Sequence, residues 1–152
     1  MQKLREPRCI LEHRGFFEDS DYLCIVSELM VTDMRDLFNK AARELTEEQA
    51  REFFRKMTES IQICHNSGII HRDVKMENFL VDVADDSDLI IKLSDFGYAC
   101  KDDEAAAQSD QAIDGKCGSL YGMAPETLKD NQYSMKVDIW ALGVVLYELL
   151  TN

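Results

Sequence analysis

Residues 71–78 read HRDVKMEN, and this stretch decides how the rest of the chain is interpreted. Two shorter strings follow it in order, DFG at residues 95–97 and APE at residues 124–126. A three-residue string often occurs by chance, so each is weak evidence when taken singly. The order and spacing of all three are much more specific. Together they predict one site assembled from separate parts of the chain.

The polar residues of these strings supply oxygen ligands and a cation. Asp73 provides a carboxylate, Lys75 an ammonium group, Asn78 an amide oxygen and Asp95 a second carboxylate. Oxygen atoms of this kind suit Mg²⁺, which keeps several waters and takes phosphate oxygens for its remaining positions. A positioned carboxylate can also orient a hydroxyl group and accept its proton, as phosphoryl transfer requires. The pattern therefore points to phosphoryl transfer.

The order and spacing of the strings resemble the second half of the eukaryotic protein kinase signature. This resemblance covers nearly the whole chain and implies an α+β, protein-kinase-like fold. Residues 1–152 would be a partial, truncated kinase domain. Residues 1–28 would form the end of the N-terminal lobe and the hinge, and residues 29–152 the helical C-terminal lobe through its central buried helix. The glycine-rich loop and strand lysine of the family have no match, so we expect negligible turnover from these residues alone.

The resemblance also implies a role for each residue of the predicted site. Asp73 would be the catalytic base and Lys75 the lysine on the transferred phosphate, while Asn78 and Asp95 would hold Mg²⁺. Residues that bind ATP would be Glu28 and Met30 at the hinge, Leu80 beneath the adenine and Asp33 near the ribose, together with Lys75, Asn78 and Asp95.

Substrate class and regulation follow from the same resemblance. Lys75 in the loop resembles serine/threonine kinases, which implies ATP-dependent phosphorylation of Ser or Thr in proteins. Glu77 and Ser119 would contact the substrate, and the acidic surroundings would favour basic peptides. Arg72 would pair with a phosphate on the activation segment, with Ser109 as the favoured acceptor. Alternatively, Ser119 would hydrogen-bond the catalytic residues, and acidic residues of the segment would replace the phosphate.

Three further stretches resemble the calcium/calmodulin-dependent and calcium-dependent kinases. They read ENFL at 77–80, CGSLY at 117–121 and VDIWALGV at 137–144. By the same resemblance Asp138 would anchor the backbone of the loop at 71–78, and His71 would pack against Phe96. His65 has no partner motif. The sequence contains no EF-hand loop, so a calcium-linked regulator would lie outside this chain.

Composition limits the function classes independently of the motifs. The 152 residues are 45% hydrophobic, enough for the core of one domain. The net charge of −12 and the lack of a basic stripe argue against nucleic-acid binding. No leader or membrane-spanning stretch is recognisable, and five scattered cysteines are expected to be reduced thiols rather than zinc ligands. We expect a soluble, cytoplasmic protein, with the nucleus as an alternative location.

Hydrophobic periodicity predicts the elements that carry the motifs. Residues 22–26 predict a buried strand, and residues 46–66 predict one amphipathic helix with a Thr46/Gln49 capping box and an end at 67–68. Residues 79–81 and 89–93 predict a hairpin that would bring Asn78 close to Asp95. Residues 136–150, capped by Ser134, are apolar nearly all round and predict a helix of the fully buried type. Because the family resemblance ends before the helices that would cover it, we expect this helix to leave an apolar surface in this chain.

Two other interpretations stay open. A truncated, non-catalytic kinase-like module could bind or regulate other proteins, although such a scaffold does not need all four catalytic-type side chains. An unrelated α+β enzyme with a carboxylate pair on Mg²⁺ is the other possibility, and it does not explain Asp138 and Trp140 at the start of the last helix.

Overall fold

The structure is a computed structural model that describes residues 9–40, 45–83, 89–102, 118–130 and 134–151. The strands of this part are β1 (His13–Glu18), β2 (Leu23–Ser27), β3 (Thr32–Asp33), β4 (Ile69–Ile70), β5 (Phe79–Val83), β6 (Leu89–Leu93) and β7 (Cys100–Lys101). The helices are α1 (Met34–Lys40), α2 (Glu47–Asn66), α3 (Pro125–Asp130) and α4 (Lys136–Thr151), with single 3₁₀ turns at 76–78, 96–98 and 120–122. Short antiparallel sheets and separate helices confirm the predicted α+β class.

Helix α2 begins and ends where the sequence predicts. The Thr46 hydroxyl accepts a hydrogen bond from the Gln49 N–H, and the Gln49 side chain accepts one from the Thr46 N–H. These bonds satisfy N–H groups that have no partner within the helix. Gly68 follows the helix with φ of +69°, a conformation that glycine adopts without steric cost. The apolar face of α2 forms much of the core through Ala50, Phe53, Met57, Ile61 and Cys64.

Helix α4 is buried on one side only, and the apolar surface expected on a helix of the buried type without its covering helices is confirmed. Ser134 accepts a hydrogen bond from the Lys136 N–H at 3.4 Å, as its predicted capping role requires. The side that faces α2 and the turn at 120–122 is buried, whereas Trp140 is 49% exposed and Tyr147 is 68% exposed. An all-round apolar sequence indicates two covered faces, but the described residues cover just one. No helix among the described residues has the length and apolarity needed to cross a membrane.

The predicted strand at 22–26 is present as β2, but it is not buried. It pairs antiparallel with β1, with Phe16 opposite Ile25. Phe16, Tyr22 and Ile25 are each at least 65% exposed. A two-stranded sheet has no second layer of its own, and the described part of the chain leaves both of its faces open to solvent.

The hairpin of β5 and β6 positions the middle of the predicted site. The two strands pair antiparallel from Phe79 opposite Leu93 to Val83 opposite Leu89. The turn at 76–78 leads into β5, and β6 leads into Ser94 and Asp95. The Ser94 N–H and hydroxyl both donate to the Asn78 carbonyl, at 2.8 and 2.9 Å. The predicted proximity of Asn78 and Asp95 is therefore confirmed at the level of the backbone.

Four of the five cysteines are described, and no disulfide joins these four to one another. Cys117 lies outside the described residues. Burial raises the pKa of the Cys64 thiol to about 12, and the charge of Asp138 acts in the same direction. Since the thiolate is the reactive form, Cys64 has the character of an inert core residue.

Candidate active site

A carboxylate on α4 holds the loop that contains residues 71–73. Asp138 accepts one hydrogen bond from the His71 N–H and one from the Arg72 N–H, each 2.9 Å long. Its side chain is completely buried, so these N–H groups replace the water that an exposed carboxylate would bind. The predicted anchoring contact is confirmed.

His65 is a third partner of Asp138 that sequence reasoning missed. Its Nε2 lies 2.8 Å from Oδ2 of Asp138. His65 stands one residue before the end of α2, and it therefore joins α2 to the anchor on α4. The one available signal was its position close before the HRD string. That position does not reveal a partner 73 residues away.

His71 connects the loop to the segment that contains Asp95. Its Nδ1 accepts a hydrogen bond from the Asp73 N–H at 3.3 Å, and its Nε2 lies 2.9 Å from the Ser94 carbonyl. A carbonyl oxygen only accepts, so Nε2 carries a proton and Nδ1 does not. The ring also meets the Phe96 ring edge to face, with centroids 5.0 Å apart. The packing predicted for His71 is confirmed, and the structure adds two polar contacts to it.

Asp73 lies at the centre of the predicted catalytic residues and is 4% exposed. Its Oδ1 accepts hydrogen bonds from the Ser119 N–H at 2.9 Å and the Ser119 hydroxyl at 3.0 Å. Its Oδ2 accepts from Lys75 Nζ at 2.7 Å and from the Asn78 amide at 3.1 Å. Lys75 Nζ also donates to the Ser119 hydroxyl at 3.2 Å. The predicted contact of Ser119 with both catalytic residues is confirmed, and one cluster joins these four side chains.

The contacts within this cluster favour the charged forms of both Asp73 and Lys75. Burial alone would raise the pKa of the Asp73 carboxyl, but hydrogen bonds from Lys75 and Ser119 outweigh it and lower that pKa. For Lys75, burial alone would lower the pKa, and the hydrogen bond and charge of Asp73 raise it instead. At neutral pH the two form an ion pair, in which the Asp73 side chain is 2% exposed and the Lys75 side chain 31% exposed.

Asn78 and Asp95 provide oxygen atoms suited to a hard cation. The Asn78 amide nitrogen donates to the Asp73 carbonyl at 2.7 Å, which leaves the amide oxygen as the end available to a ligand. Asp95 has a left-handed φ of 54°, and its Oδ1 accepts a hydrogen bond from the Gly97 N–H at 3.2 Å. The described residues contain no group of three or more His, Cys, Asp or Glu side chains that could hold a metal. Mg²⁺ fits this donor set only with phosphate and water oxygens as further ligands.

The residues predicted for the hinge lie in the segment between β2 and β3. Glu28 accepts hydrogen bonds from Lys92 Nζ at 2.7 and 2.8 Å and from the Glu12 N–H at 2.7 Å. Burial alone would raise the pKa of Glu28, but Lys92 and the Glu12 N–H outweigh it and lower that pKa. Sequence reasoning missed Lys92, which is 64 residues away from Glu28 in sequence. The ion pair fixes the Glu28 side chain against β6, while Met30 is half-buried two residues later.

The strand pairing of β3 with β5 brings the two remaining predicted ATP contacts together. Asp33 stands opposite Leu80 in the register, and both are partly exposed. One Asp33 carboxylate oxygen accepts a hydrogen bond from the Asp36 N–H at 2.9 Å, in the first turn of α1. Asp33 therefore has a structural role at the start of this helix, and its carboxylate still has acceptor sites for a ribose hydroxyl.

Two of the residues predicted for substrate binding and regulation, Glu77 and Arg72, form hydrogen bonds with other segments of the chain. Glu77 accepts a hydrogen bond from Arg35, a residue that sequence reasoning did not consider. Arg72 has a left-handed φ of 68° and donates from Nε to the Tyr98 carbonyl, directly after the DFG string. Ser109 lies outside the described residues. The structure thus brings Arg72 to the start of the activation segment, and its predicted pairing with a phosphate stays a prediction.

Comparison with known proteins identifies similar sequences over the whole chain. A family model described as "Protein kinase domain" matches residues 1–152. Calcium-dependent protein kinase 19 of Arabidopsis thaliana is 38% identical over 143 residues, which are 93% of this chain and 24% of that protein. Calcium-dependent protein kinase 12 of Oryza sativa subsp. japonica is 38% identical over 152 residues, 99% of this chain and 27% of that protein.

CBL-interacting protein kinase 3, also from Oryza sativa subsp. japonica, is 30% identical over 153 residues. That alignment covers 100% of this chain and 33% of the relative. The chain therefore spans about a quarter to a third of the length of these relatives.

Replacing Gly118 with alanine should separate the segment at 118–119 from the loop at 71–73. Gly118 has φ of +95°, and a Cβ atom there would lie 2.4 Å from the Arg72 carbonyl oxygen. The strained backbone and this collision would pull Ser119 away from Asp73, at a cost of about 1–3 kcal/mol. Hydrogen exchange of the peptide that covers residues 71–78, measured in the complete gene product, should become faster in Gly118→Ala.

Gly143→Ala is the matched control for this substitution. A Cβ atom at Gly143 meets nothing within 4 Å, and alanine favours a helix by up to about 1 kcal/mol over glycine. Exchange of residues 71–78 should not change in this control. Equal exchange of this peptide in wild type and Gly118→Ala would contradict the close approach described here.

The stability that Asp73 contributes should depend on pH in the acid range. Because the folded pKa of Asp73 is lowered, the unfolded chain binds its proton more readily. The contribution is therefore complete above the ordinary carboxyl pKa of about 4 and is lost as pH falls through the lower folded value. Between wild type and Asp73→Asn, the difference in free energy of unfolding should shrink as pH falls from about 6 to about 2.

Urea unfolding at several pH values measures this difference, with Asp36→Asn as the control at an exposed position. Because the folded pKa of Lys75 is raised, the stability that Lys75 contributes changes only at alkaline pH, where it is lost as pH rises. A difference between wild type and Asp73→Asn that stays constant throughout the acid range would show that the Asp73 contacts do not favour the carboxylate.

Proposed function

We propose, because the chain belongs to the protein kinase domain family, that the protein transfers the terminal phosphoryl group of ATP to Ser or Thr hydroxyls of other proteins. The observation that carries the proposal is the cluster around Asp73. A buried carboxylate, a lysine, an amide and a hydroxyl meet there within hydrogen-bond distance. Phosphoryl transfer depends on positioning and electrostatic stabilisation more than on covalent chemistry by the protein.

Asp73 is assigned to orient the substrate hydroxyl and to accept its proton. Its lowered pKa makes it a weak base at neutral pH, so its main contribution is to hold the hydroxyl in line with the phosphorus atom. The incoming hydroxyl takes a position next to Asp73 that resembles the one held by the Ser119 hydroxyl in this structure. Ser119 itself contributes to the substrate-facing wall of the site.

Lys75 is assigned to the phosphoryl group during its transfer. Its ammonium group is partly exposed and already lies 2.7 Å from Asp73. A cation in this position offsets negative charge on the phosphate oxygens next to the base. Asn78 and Asp95 are assigned to Mg²⁺. When bound, Mg²⁺ with ATP supplies the phosphoryl group and neutralises much of its charge.

The adenosine part of ATP is assigned to the residues around β3 and β5. The backbone at Glu28 and Met30 would bind adenine, Leu80 would lie beneath the ring, and Asp33 would approach the ribose. The Glu28 side chain is held by Lys92 and the Glu28 N–H donates to the Glu12 carbonyl. The Glu28 carbonyl, which accepts one hydrogen bond from the Ser27 hydroxyl, has a second lone pair and is the group assigned to adenine. Register pairing of Asp33 with Leu80 supports a shared surface for base and sugar.

Protein substrates with basic residues fit the charge of the chain. The net charge of −12 attracts cationic partners and raises their rate of encounter.

The proposal includes two forms of regulation. A phosphate at Ser109 would pair with Arg72, and a calcium-linked regulator outside this chain would fit relatives that are named as calcium-dependent kinases.

Asp73→Asn should reduce phosphoryl transfer by about 10²–10⁴-fold in the complete gene product, because a general base and orienting group is lost. The measurement is transfer of labelled phosphate from ATP to a Ser/Thr peptide mixture, with Asp36→Asn as the control. EDTA should abolish transfer by the wild type, and added Mg²⁺ should restore it.

Folded wild-type protein that binds protein partners but transfers no phosphate with Mg²⁺ and ATP would contradict the proposal. That result would favour the non-catalytic kinase-like module instead.

A further inference from the structure

Arg35 joins three elements of the chain next to the site. It lies on α1, and its Nε donates to Oε1 of Glu77 at 3.2 Å, in the turn that leads into β5. Its Nη2 donates to Oε2 of Glu148 on α4 at 2.9 Å. The three residues are up to 113 positions apart in sequence. A single guanidinium therefore donates hydrogen bonds to two carboxylates from separate elements.

Arg35 and Glu148 are partly buried and Glu77 is exposed, so the Arg35–Glu148 half of this cluster is more than a surface contact. Arg35 is 27% exposed, Glu148 is 28% exposed and Glu77 is 46% exposed. Burial alone would lower the pKa of Arg35, but the charges and hydrogen bonds of Glu148 and Glu77 outweigh it and raise that pKa. The guanidinium is consequently always charged, and it neutralises one of the two negative charges.

Glu77 lies close to the reacting groups. It precedes Asn78 directly, and it contributes to the raised pKa of Lys75. A substrate chain whose hydroxyl reaches Asp73 therefore passes near Glu77. Two carboxylates that converge on one position form the geometry that a guanidinium binds through several N–H groups at once. In this chain the guanidinium that donates to both carboxylates is that of Arg35, a residue of the protein itself.

We propose that Arg35 is a specificity-determining residue that occupies the place of a substrate arginine and weakens the preference for one. The inference rests on the proposed kinase function. A substrate arginine gains little at this place, because Arg35 already satisfies both carboxylates and repels a second cation. Removing Arg35 opens two carboxylates toward the substrate and increases selectivity for arginine. If Arg35 were only a clamp between elements, its removal would lower activity on all peptides equally.

The experiment compares peptides that differ by one arginine. Ser-containing peptides carry either arginine or its neutral analogue citrulline at a single position, and this position is moved along the peptide. The kcat/KM ratio of each arginine peptide to its citrulline partner is measured for the complete gene product. Wild type is compared with Arg35→Gln, Arg35→Lys and Arg51→Gln. Arg51 is the matched control, since it is an exposed arginine on α2 that pairs with Glu47.

Arg35→Gln should raise the arginine-to-citrulline ratio at one peptide position by about tenfold or more, the size of one charge-assisted hydrogen bond. Arg35→Lys should give a smaller increase, because one ammonium group cannot serve both carboxylates in the same geometry. Arg51→Gln should leave the ratio unchanged. Adding Glu77→Gln to Arg35→Gln should cancel the increase.

Unchanged ratios at every position in Arg35→Gln, with activity on citrulline peptides retained, would overturn the proposal. If Arg35→Gln does not fold, Arg35→Lys decides by the same criterion. If the wild type phosphorylates no peptide at all, the proposed function has failed. Fluorescence anisotropy of the same labelled peptides then measures the arginine-to-citrulline ratio as binding affinity. A tenfold increase of this affinity ratio in Arg35→Gln over wild type supports the role of Arg35. An unchanged affinity ratio overturns that role.

Discussion

The hydrogen bonds from the His71 and Arg72 backbone to the Asp138 carboxylate are the interaction on which the site depends. A buried carboxylate is costly unless its oxygens are satisfied, and here three donors or potential donors surround it. The loop at 71–73 therefore has one favourable position relative to α4. His71 extends this constraint, because its ring joins the Asp73 N–H to the Ser94 carbonyl. A continuous series of hydrogen bonds thus connects α4, Asp73 and the segment that leads into the DFG string.

Backbone strain is concentrated where these contacts meet. Arg72 and Asp95 are the non-glycine residues with positive φ in the described part of the chain. Such conformations cost on the order of 1 kcal/mol or more and persist only when neighbouring contacts hold them. Asp138 holds Arg72, and the Gly97 N–H holds the Asp95 carboxylate. The close approach of Gly118 to the Arg72 carbonyl then places Ser119 against Asp73.

Local chemistry in the sequence predicts much of this arrangement. The capping box at Thr46, the hairpin of β5 and β6, and the contacts of Asp138 and Ser119 all follow from short patterns or from the family resemblance. Burial of β2 and α4 is not predictable in the same way, because apolar residues indicate a face that can be covered, not the element that covers it. His65, Lys92 and Arg35 were missed for a different reason. Each is a single polar residue whose partners are 42 to 113 residues away, and no periodicity connects such pairs.

Hydrogen exchange at the His71 and Arg72 amides, compared between wild type and Asp138→Asn, tests most directly whether the Asp138 carboxylate positions the site. The asparagine amide directs N–H groups toward backbone donors, so at least one of the two bonds is lost. At least one of the two amides should exchange about tenfold faster or more in the variant, while amides in the middle of α2 should keep their protection. Unchanged protection of His71 and Arg72 in a folded Asp138→Asn protein would contradict the claim that this carboxylate positions the site.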